Sequence, residues 1–559
     1  MSFSYTSDLH SLMSTSSGRY EYSQWKKKAI QEVSSNPDAL KYESEWWHRD
    51  AEIVRAAIIA DPFALRYAPF FQNDKDIVRL AVKINGLARV WADKDLQNDP
   101  EIKEIAENNL PITLPSRRIR KYFRSPHLRD MHIYYTNYNQ CKLLKNVCNL
   151  NEARLVDKAN DSNSFFIRDS SVTLFEGKRL IPYSFKSSTY HDLLKASLPE
   201  SANHFLLNSK SLCGKGFQQC NVDQAMINAI DFDIPFKRGK TCIEGGNCFL
   251  FNDIDGRKAV LGEISLFLSM IALEEQGYFD DKITEISLEP SPDALRIARN
   301  RNISLTKNQD NKIELNQVFT DPVTKEDEKA YYSEAKIIEA KLALTKICIA
   351  EELEIPLSKI VFLPQGSFHL DMELFITPHG EVILHDDGKV IDFLNEDQFS
   401  EIQDKDIQDL LIKYKINAEN KSRILTIFFK KREVVLNSAQ IRYRYIPAVF
   451  ESPESNSALN YCNGIFSLIG SKVTVRFSDD NICEGVVKED GYNYITTGPS
   501  TDVEKAFHLK FIKLFQQIFP EYRIKGIPDL SKFVASTHGG IHCLTFENYL
   551  VTDLTNAFG

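Results

Sequence analysis

Four short motifs, spread from Phe166 to Cys543, restrict what this chain can fold into. They are Phe166-Ile167-Arg168-Asp169, Glu244-Gly245-Gly246-Asn247, His369-Leu370-Asp371 and Gly539-Gly540-Ile541-His542-Cys543. They bring the thiol of Cys543, the imidazole of His369 and the carboxylates of Asp169, Glu244 and Asp371. A fold that uses these groups together must return to one place from widely separated parts of the chain. As a set they suit attack by sulfur on a cationic carbon held between acids.

Taken singly, each motif has a plainer reading. Cys543 alone reads as a buried apolar thiol, although Gly539 and Gly540 free the backbone before it. On a strand, Ile541 and Cys543 would share a face. His369-Leu370-Asp371 also reads as a strand, with His369 and Asp371 on one face and Leu370, Met372 and Leu374 on the other. That pattern equally describes an amphipathic strand with a solvent face. His-x-Asp is a metal-ligand spacing too, but no third ligand stands nearby, and no metal is expected. Glu244 beside two glycines reads as a turn, or as a carboxylate in a cleft whose glycines admit a ligand. Arg168-Asp169 reads as a surface ion pair, or as the end of the strand Phe165-Phe166-Ile167 opening into a site.

At 559 residues the chain exceeds one ordinary core, so two or more domains are expected. Hydrophobic residues make up 43% and charged residues 26%, as in globular proteins. The net charge of -9 and the lack of a basic stripe argue against a nucleic-acid partner. An acidic balance suits a cationic substrate. Ten cysteines without a CxxC pair indicate neither zinc nor a disulfide framework, and they fit a reducing compartment. Met1 to Ser17 has no basic-then-apolar signal. The apolar stretch Ala259 to Leu273 is too short and polar to span a bilayer and reads as a buried helix. The expected location is therefore the cytoplasm, or a host cytosol reached without a cleaved signal, with no integral membrane association.

The first hundred residues repeat. Asn36-Pro37-Asp38-Ala39-Leu40-Lys41-Tyr42 returns as Asp61-Pro62-Phe63-Ala64-Leu65-Arg66-Tyr67 and, more loosely, as Asn85-Gly86-Leu87-Ala88-Arg89-Val90-Trp91, with a period of about 24 to 25 residues. Each unit reads as a short amphipathic helix, an Asx-Pro or Asn-Gly turn and a second short helix, stacked on its neighbours. This α-helical repeat domain is placed at 1–115 and resembles a short repeat of proteins from intracellular bacteria. It could be a structural cap or a protein-binding module. Residues 116–152, basic and tyrosine-rich, read as a connecting segment. Strands and helices alternate over 153–559, with helical insertions near 325–355 and 400–437, the latter with a charged outer face.

The four motifs, in this order, resemble those of the guanidine-modifying (pentein) superfamily. It includes arginine, agmatine and peptidylarginine deiminases and the amidinotransferases. The resemblance implies an α/β fold, a pentein propeller of five ββαβ blades around a central site. It implies Cys543 as nucleophile and His369 as general acid and base. Glu244 would contact the guanidinium or orient His369. Asp169 and Asp371 would clamp the substrate guanidinium, with Arg168 and Asn247 beside them. No cofactor is implied. The expected reaction converts a guanidinium to a ureido group with release of ammonia through a cysteine thiouronium adduct.

The expected substrate is arginine in a protein, with the chain a bacterial effector. The alternatives are free arginine, agmatine, amidino transfer to an amine, or a non-catalytic binding module. A free amino acid would need a cation for its carboxylate, such as Arg179, Arg296, Arg299 or Arg301.

Overall fold

The computed structural model describes residues 16–37, 39–42, 46–109, 113–114, 131–135, 154–157, 168, 171–175, 178–185, 193, 197, 226, 229, 235–253, 255–280, 282–283, 288–307, 325–367, 369–395, 399, 404–452, 457–478, 481–532, 542–543 and 545–547. The chain divides into two compact units, Met1–Leu114 and Pro115–Gly559. No helix among the described residues is long and apolar enough to cross a membrane.

The first unit is helical. After α1 (Ser16–Ser35) come α2 (Ala51–Ala60), α3 (Lys75–Ile84) and α4 (Pro100–Asn108). Asp50 caps α2 and Asp74 caps α3, each side chain accepting two backbone N–H groups of the first turn. Such a cap stabilises a helix by about 1 kcal/mol. The Asx-Pro and Asn-Gly dipeptides do a related job. Asp61 and Asn85 cap the 3-10 turns Pro62–Tyr67 and Gly86–Trp91 by accepting from Phe63 and Leu87. Phe63 and Trp91 from these two turns meet edge to face, with centroids 5.0 Å apart. α2 buries Ile53, Val54, Ala57 and Ile58, and α3 buries Ile77, Val78, Ala81 and Val82.

Among the described residues, the second unit repeats one strand arrangement in five sheets. A first strand pairs antiparallel with a second, and the second pairs parallel with a third. Taken in chain order, β1 (Met131–Tyr135) and β2 (Arg154–Asp157) come first. Then β3 (Val172–Thr173) and β4 (Arg179–Ile181) pair antiparallel, and β4 pairs parallel with β5 (Phe236–Arg238). β6 (Cys248–Asp253), β7 (Gly256–Gly262) and β8 (Ile360–Leu363) repeat this. So do β9 (Leu374–Ile376), β10 (Val382–His385) and β11 (Tyr443–Ile446). A two-stranded hairpin, β12 (Val449–Ser452) and β13 (Ser457–Asn460), follows. β14 (Ile465–Ser478), β15 (Asn481–Thr497) and β16 (Tyr522–Ile527) form the fourth sheet. The fifth draws on both ends of the unit: β17 (Thr545–Glu547) pairs antiparallel with β1, which pairs parallel with β2.

Helices make the crossovers. α5 (Glu263–Glu275), α6 (Pro292–Lys307) and α7 (Lys325–Leu353) separate β7 from β8. α8 (Asp387–Leu394) and α9 (Lys405–Ser438) separate β10 from β11. α10 (Asp502–Ile518), opened by a capping box of Thr501 and Glu504, separates β15 from β16.

Side-chain alternation along the strands divides the apolar residues into layers. Ala259 and Leu261 of β7 join α5 and α7 in one core, whereas Val260 faces a second core with Val361, Leu374, Val382 and Leu384. Phe375 and Ile383, on the other side of β9 and β10, enter a third core with α10. Two sheets thus share the middle core, and Leu370 lies in it.

Four expectations are corrected. The stretch from Ala259 is a strand as far as Gly262, and helix begins only at Glu263. A continuous apolar run fits a strand buried on both faces as well as a helix, and pairing with both β6 and β8 decides it. Residues 131–135 of the supposed connecting segment form the central strand of a sheet, as the aromatic and β-branched run His132-Ile133-Tyr134-Tyr135 favours. His369-Leu370-Asp371 is not a strand. His369 is extended, and Leu370–Met372 is a 3-10 turn preceding β9. The Leu370 N–H goes to the Asn247 side chain instead of a neighbouring strand. Nor is the outer face of α9 only charged, since Ile412, Ile416 and Val434 are exposed.

Gly86 tests the packing of the first unit. A Cβ there would stand 1.8 Å from the Ala106 carbonyl oxygen, and its N–H donates to Asn109 O at 2.9 Å. Gly86→Ala should therefore destabilise the helical unit by about 1–3 kcal/mol, read as a lowered helical melting transition. A transition at the wild-type temperature would show that α4 can move aside freely.

Candidate active site

Each of the five sheets offers a polar residue from the segment leading into its first strand. Arg168 lies before β3, Glu244 before β6, His369 and Asp371 before β9, Asn463 before β14, and His542 with Cys543 before β17. These lead-in segments meet in one buried hydrogen-bonded cluster.

Asp371, 1% exposed, is its electrostatic centre. Its Oδ2 accepts from His542 Nδ1 at 2.8 Å and from the Cys543 thiol at 3.2 Å. Burial alone would raise the carboxyl pKa. The hydrogen bond and positive charge of His542, with His369 and the Cys543 thiol, outweigh burial and hold it below its ordinary value of 3.8. Asp371 Oδ1 is buried and has no hydrogen-bond partner among the described residues. The His542 ring stacks on Phe249, with centroids 5.6 Å apart and planes 15° from parallel.

Cys543 is fully buried and, with His542, lies in a turn before β17, not on a strand. Asn463, also fully buried, holds that turn. Its Oδ1 accepts from the backbone N–H of His542 at 2.9 Å and of Cys543 at 3.3 Å. Its Nδ2 lies 3.1 Å from the Cys543 sulfur and 3.3 Å from Asp371 O. One amide thus joins the thiol segment to the carboxylate segment. Asn463 is itself set by Asn460, whose Oδ1 accepts from the N–H groups of Cys462 and Asn463.

Glu244 and His369 form the second pair. Glu244 Oε2 lies 2.9 Å from His369 Nε2, and both side chains are buried. A carboxylate on that nitrogen fixes the ring's orientation and its tautomer. The 3-10 turn Gly245–Asn247 follows Glu244. A Cβ on Gly245 would stand 2.3 Å from Arg168 O and 2.7 Å from Ser171 O. The glycine is therefore needed where two lead-in segments pass, rather than for approach to a ligand.

Asn247 and Arg168 brace these pairs. Asn247 Oδ1 accepts from Leu370 N at 3.1 Å and Gln365 Nε2 at 2.5 Å. Arg168 donates from its backbone N–H to Cys543 O at 3.2 Å and from Nε to His542 O at 3.1 Å. Asp169, Phe166, Ile167, Gly539, Gly540 and Ile541 lie outside the described residues. Of the arginines considered for a substrate carboxylate, Arg301 is committed to Glu274 at 2.8 and 3.0 Å, and Arg296 to Asp293 at 3.1 Å. Among the described residues no group of three or more His, Cys, Asp and Glu side chains could hold a metal ion.

Sequence reasoning passed over Asn463 and gave His542 no role. The available signal was positional. Asn460-Tyr461-Cys462-Asn463-Gly464 is a turn-forming string just before a long β-rich run, as the other motifs are.

A family model described as a domain of unknown function, DUF4116, matches residues 52–97. No curated protein matches the chain. Similar solved structures include agmatine deiminase from C. jejuni, 10% identical, covering 75% of this chain and 83% of that one with a TM-score of 0.32. Its cysteine-to-serine variant with substrate bound has the same identity and coverage and a TM-score of 0.33.

Two outcomes check this geometry. Asn463→Ala orphans two buried N–H groups, so it should cost about 1–3 kcal/mol in chemical denaturation; an unchanged midpoint would remove its bracing role. Asp371, with its pKa lowered by folding, contributes stability that is present above pH 3.8 and lost as pH falls through its folded value. Acid titration of wild type and Asp371→Asn should therefore show the wild type losing more stability below that pH. Parallel acid curves would contradict the assignment.

Proposed function

We propose that this chain is a guanidine-modifying hydrolase with Cys543 as its nucleophile. One observation carries the reading. Asp371 places one carboxylate oxygen on the Cys543 thiol and leaves the other buried without a partner among the described residues. A buried carboxylate oxygen of that kind is costly unless a ligand completes it. A planar cation with forked N–H donors meets the need and brings its carbon beside sulfur.

Sulfur attack on the guanidinium carbon forms an S–C bond. Ammonia leaves after taking a proton, which His369, oriented by Glu244, would supply. Water then attacks the thiouronium carbon with His369 as base. The S–C bond breaks, and the ureido product leaves with the thiol restored. Dividing the hydrolysis into two steps lowers the barrier at a resonance-stabilised carbon. The thiol must lose its proton to attack; His369 would take it, pass it to the departing ammonia, and return to sulfur the proton it later takes from water. A cation on Asp371 would replace the thiol's hydrogen bond and place positive charge near sulfur, favouring the thiolate. Asp169 is proposed as the second acid of the clamp. Arg168 and Asn247 would serve by holding the Cys543 and His369 segments.

The recurring strand arrangement and the five converging lead-in segments support a pentein-type assembly of ββαβ units. The proposed substrate is arginine in a protein, with citrulline as product and an effector role in a host cytosol. Exposed apolar residues on the helical unit, Ile59, Phe70 and Ile84, suit docking of a protein chain. Of the four arginines that could take the carboxylate of free arginine, Arg296 and Arg301 are committed to acidic partners.

The test is ammonia release and ureido formation with arginine, agmatine and an arginine-containing protein in parallel. Product in the protein sample alone supports the full reading, and turnover of a small guanidine moves the substrate class. Cys543→Ser should lower turnover by on the order of 10³-fold or more, and undiminished activity would remove the nucleophile. Asp371→Asn should raise KM as well as lower kcat; an unaltered KM would take Asp371 out of the substrate clamp.

A further inference from the structure

We infer that Arg432, on the long helix α9, is a positioning residue for His369 and Asp371, so that competence of the site depends on how α9 is seated. The inference rests on the guanidine-hydrolase reading above.

His369 and Asp371 both lie in the loop 364–373 between β8 and β9, and Arg432 holds the two ends of that loop. Its side chain is 1% exposed. Nε donates to Pro364 O at 2.8 Å, and Nη2 donates to Glu373 Oε2. The guanidinium rests on the Phe428 ring, 4.2 Å from its centroid. The connection continues inward. Glu373 Oε1 accepts from Ser367 N, and Ser367 Oγ donates to His369 O at 2.7 Å. The Glu373 carbonyl accepts from His385 N at 2.9 Å, tying the loop's end to β10. One turn along α9, Leu436 packs in the core that holds Leu370. The helix thus grips the loop at two successive turns, by charge at Arg432 and by packing at Leu436.

Only a fork suits this place. Arginine presents Nε–H and Nη–H in one plane, and a lysine ammonium can serve one of the two acceptors but not both in that geometry. None of these contacts involves the thiol, so Arg432 acts through the loop and touches no reacting atom.

The experiment uses the full chain and two small electrophiles that share a chloride leaving group, chloroacetamidine and chloroacetamide. The first is a planar cation resembling a guanidinium and the second is neutral. Rates of Cys543 alkylation are read by mass spectrometry of its peptide. The wild type should prefer the amidine, by about tenfold or more for one charge-assisted interaction. Arg432→Lys should lose most of that preference while the neutral rate changes little. Ser367→Ala removes only the last hydrogen bond to the His369 carbonyl and leaves the buried ion pair intact, so it keeps the test valid if Arg432→Lys folds poorly. It should lower the preference in the same direction. Wild-type preference retained in both variants would overturn the inference and leave the hydrolase reading standing. No preference in the wild type would overturn that reading and this inference with it.

Discussion

The carboxylate of Asp371 is almost wholly removed from water, and the segments around it are arranged by that fact. A buried charge is tolerated only with close compensation. Here the compensation comes from His542 and Cys543, which arrive from a distant part of the sequence. Asn463 then fixes the backbone of both donors, and Arg168 fixes their carbonyls. Each contact reaches from one sheet's lead-in segment to another's. The acid that suits a cationic ligand is therefore also a centre around which the sheets are registered.

Packing supplies precision that hydrogen bonds alone would not. Leu370 sits between His369 and Asp371 and is buried in the core shared by two sheets. Its side chain is held by close packing, and its N–H is held by Asn247. Moving either polar neighbour would require Leu370 to leave that core or break that hydrogen bond. The 3-10 turn makes this possible, because it lets polar and apolar residues separate over a single residue step. A strand would have put His369 and Asp371 on one face but tied their backbone to a neighbouring strand.

The sequence displayed the charged members of the site, because Cys, His, Asp and Glu beside glycines are conspicuous. It did not display Asn463, whose amide carries no charge and stands in an ordinary turn, and it offered Asn247 as a neighbour of the substrate where the amide instead holds the Leu370 N–H. The helices of α7 and α9 were legible from their length. The turn at 369–371 was not, since Leu370 and Leu374 are buried at a spacing that a strand would also give. The stretch after Ala259 is ambiguous for a related reason. When both faces are buried, hydrophobicity carries no period, and strand pairing becomes a long-range fact. The link from Arg432 to the loop lay further out of reach, because a single arginine on a charged helix has no local mark of burial.

The sheet made from β17, β1 and β2 joins the beginning and the end of the second unit. Its order of assembly has a temporal meaning. During synthesis β1 emerges early and must wait for nearly all the intervening chain before its antiparallel partner appears. Pairings so far apart in sequence close slowly. Cys543, which stands two residues before the start of β17, is therefore among the last groups of the cluster to be set in place. A nascent or truncated chain can carry the acids and the imidazole while still lacking the thiol.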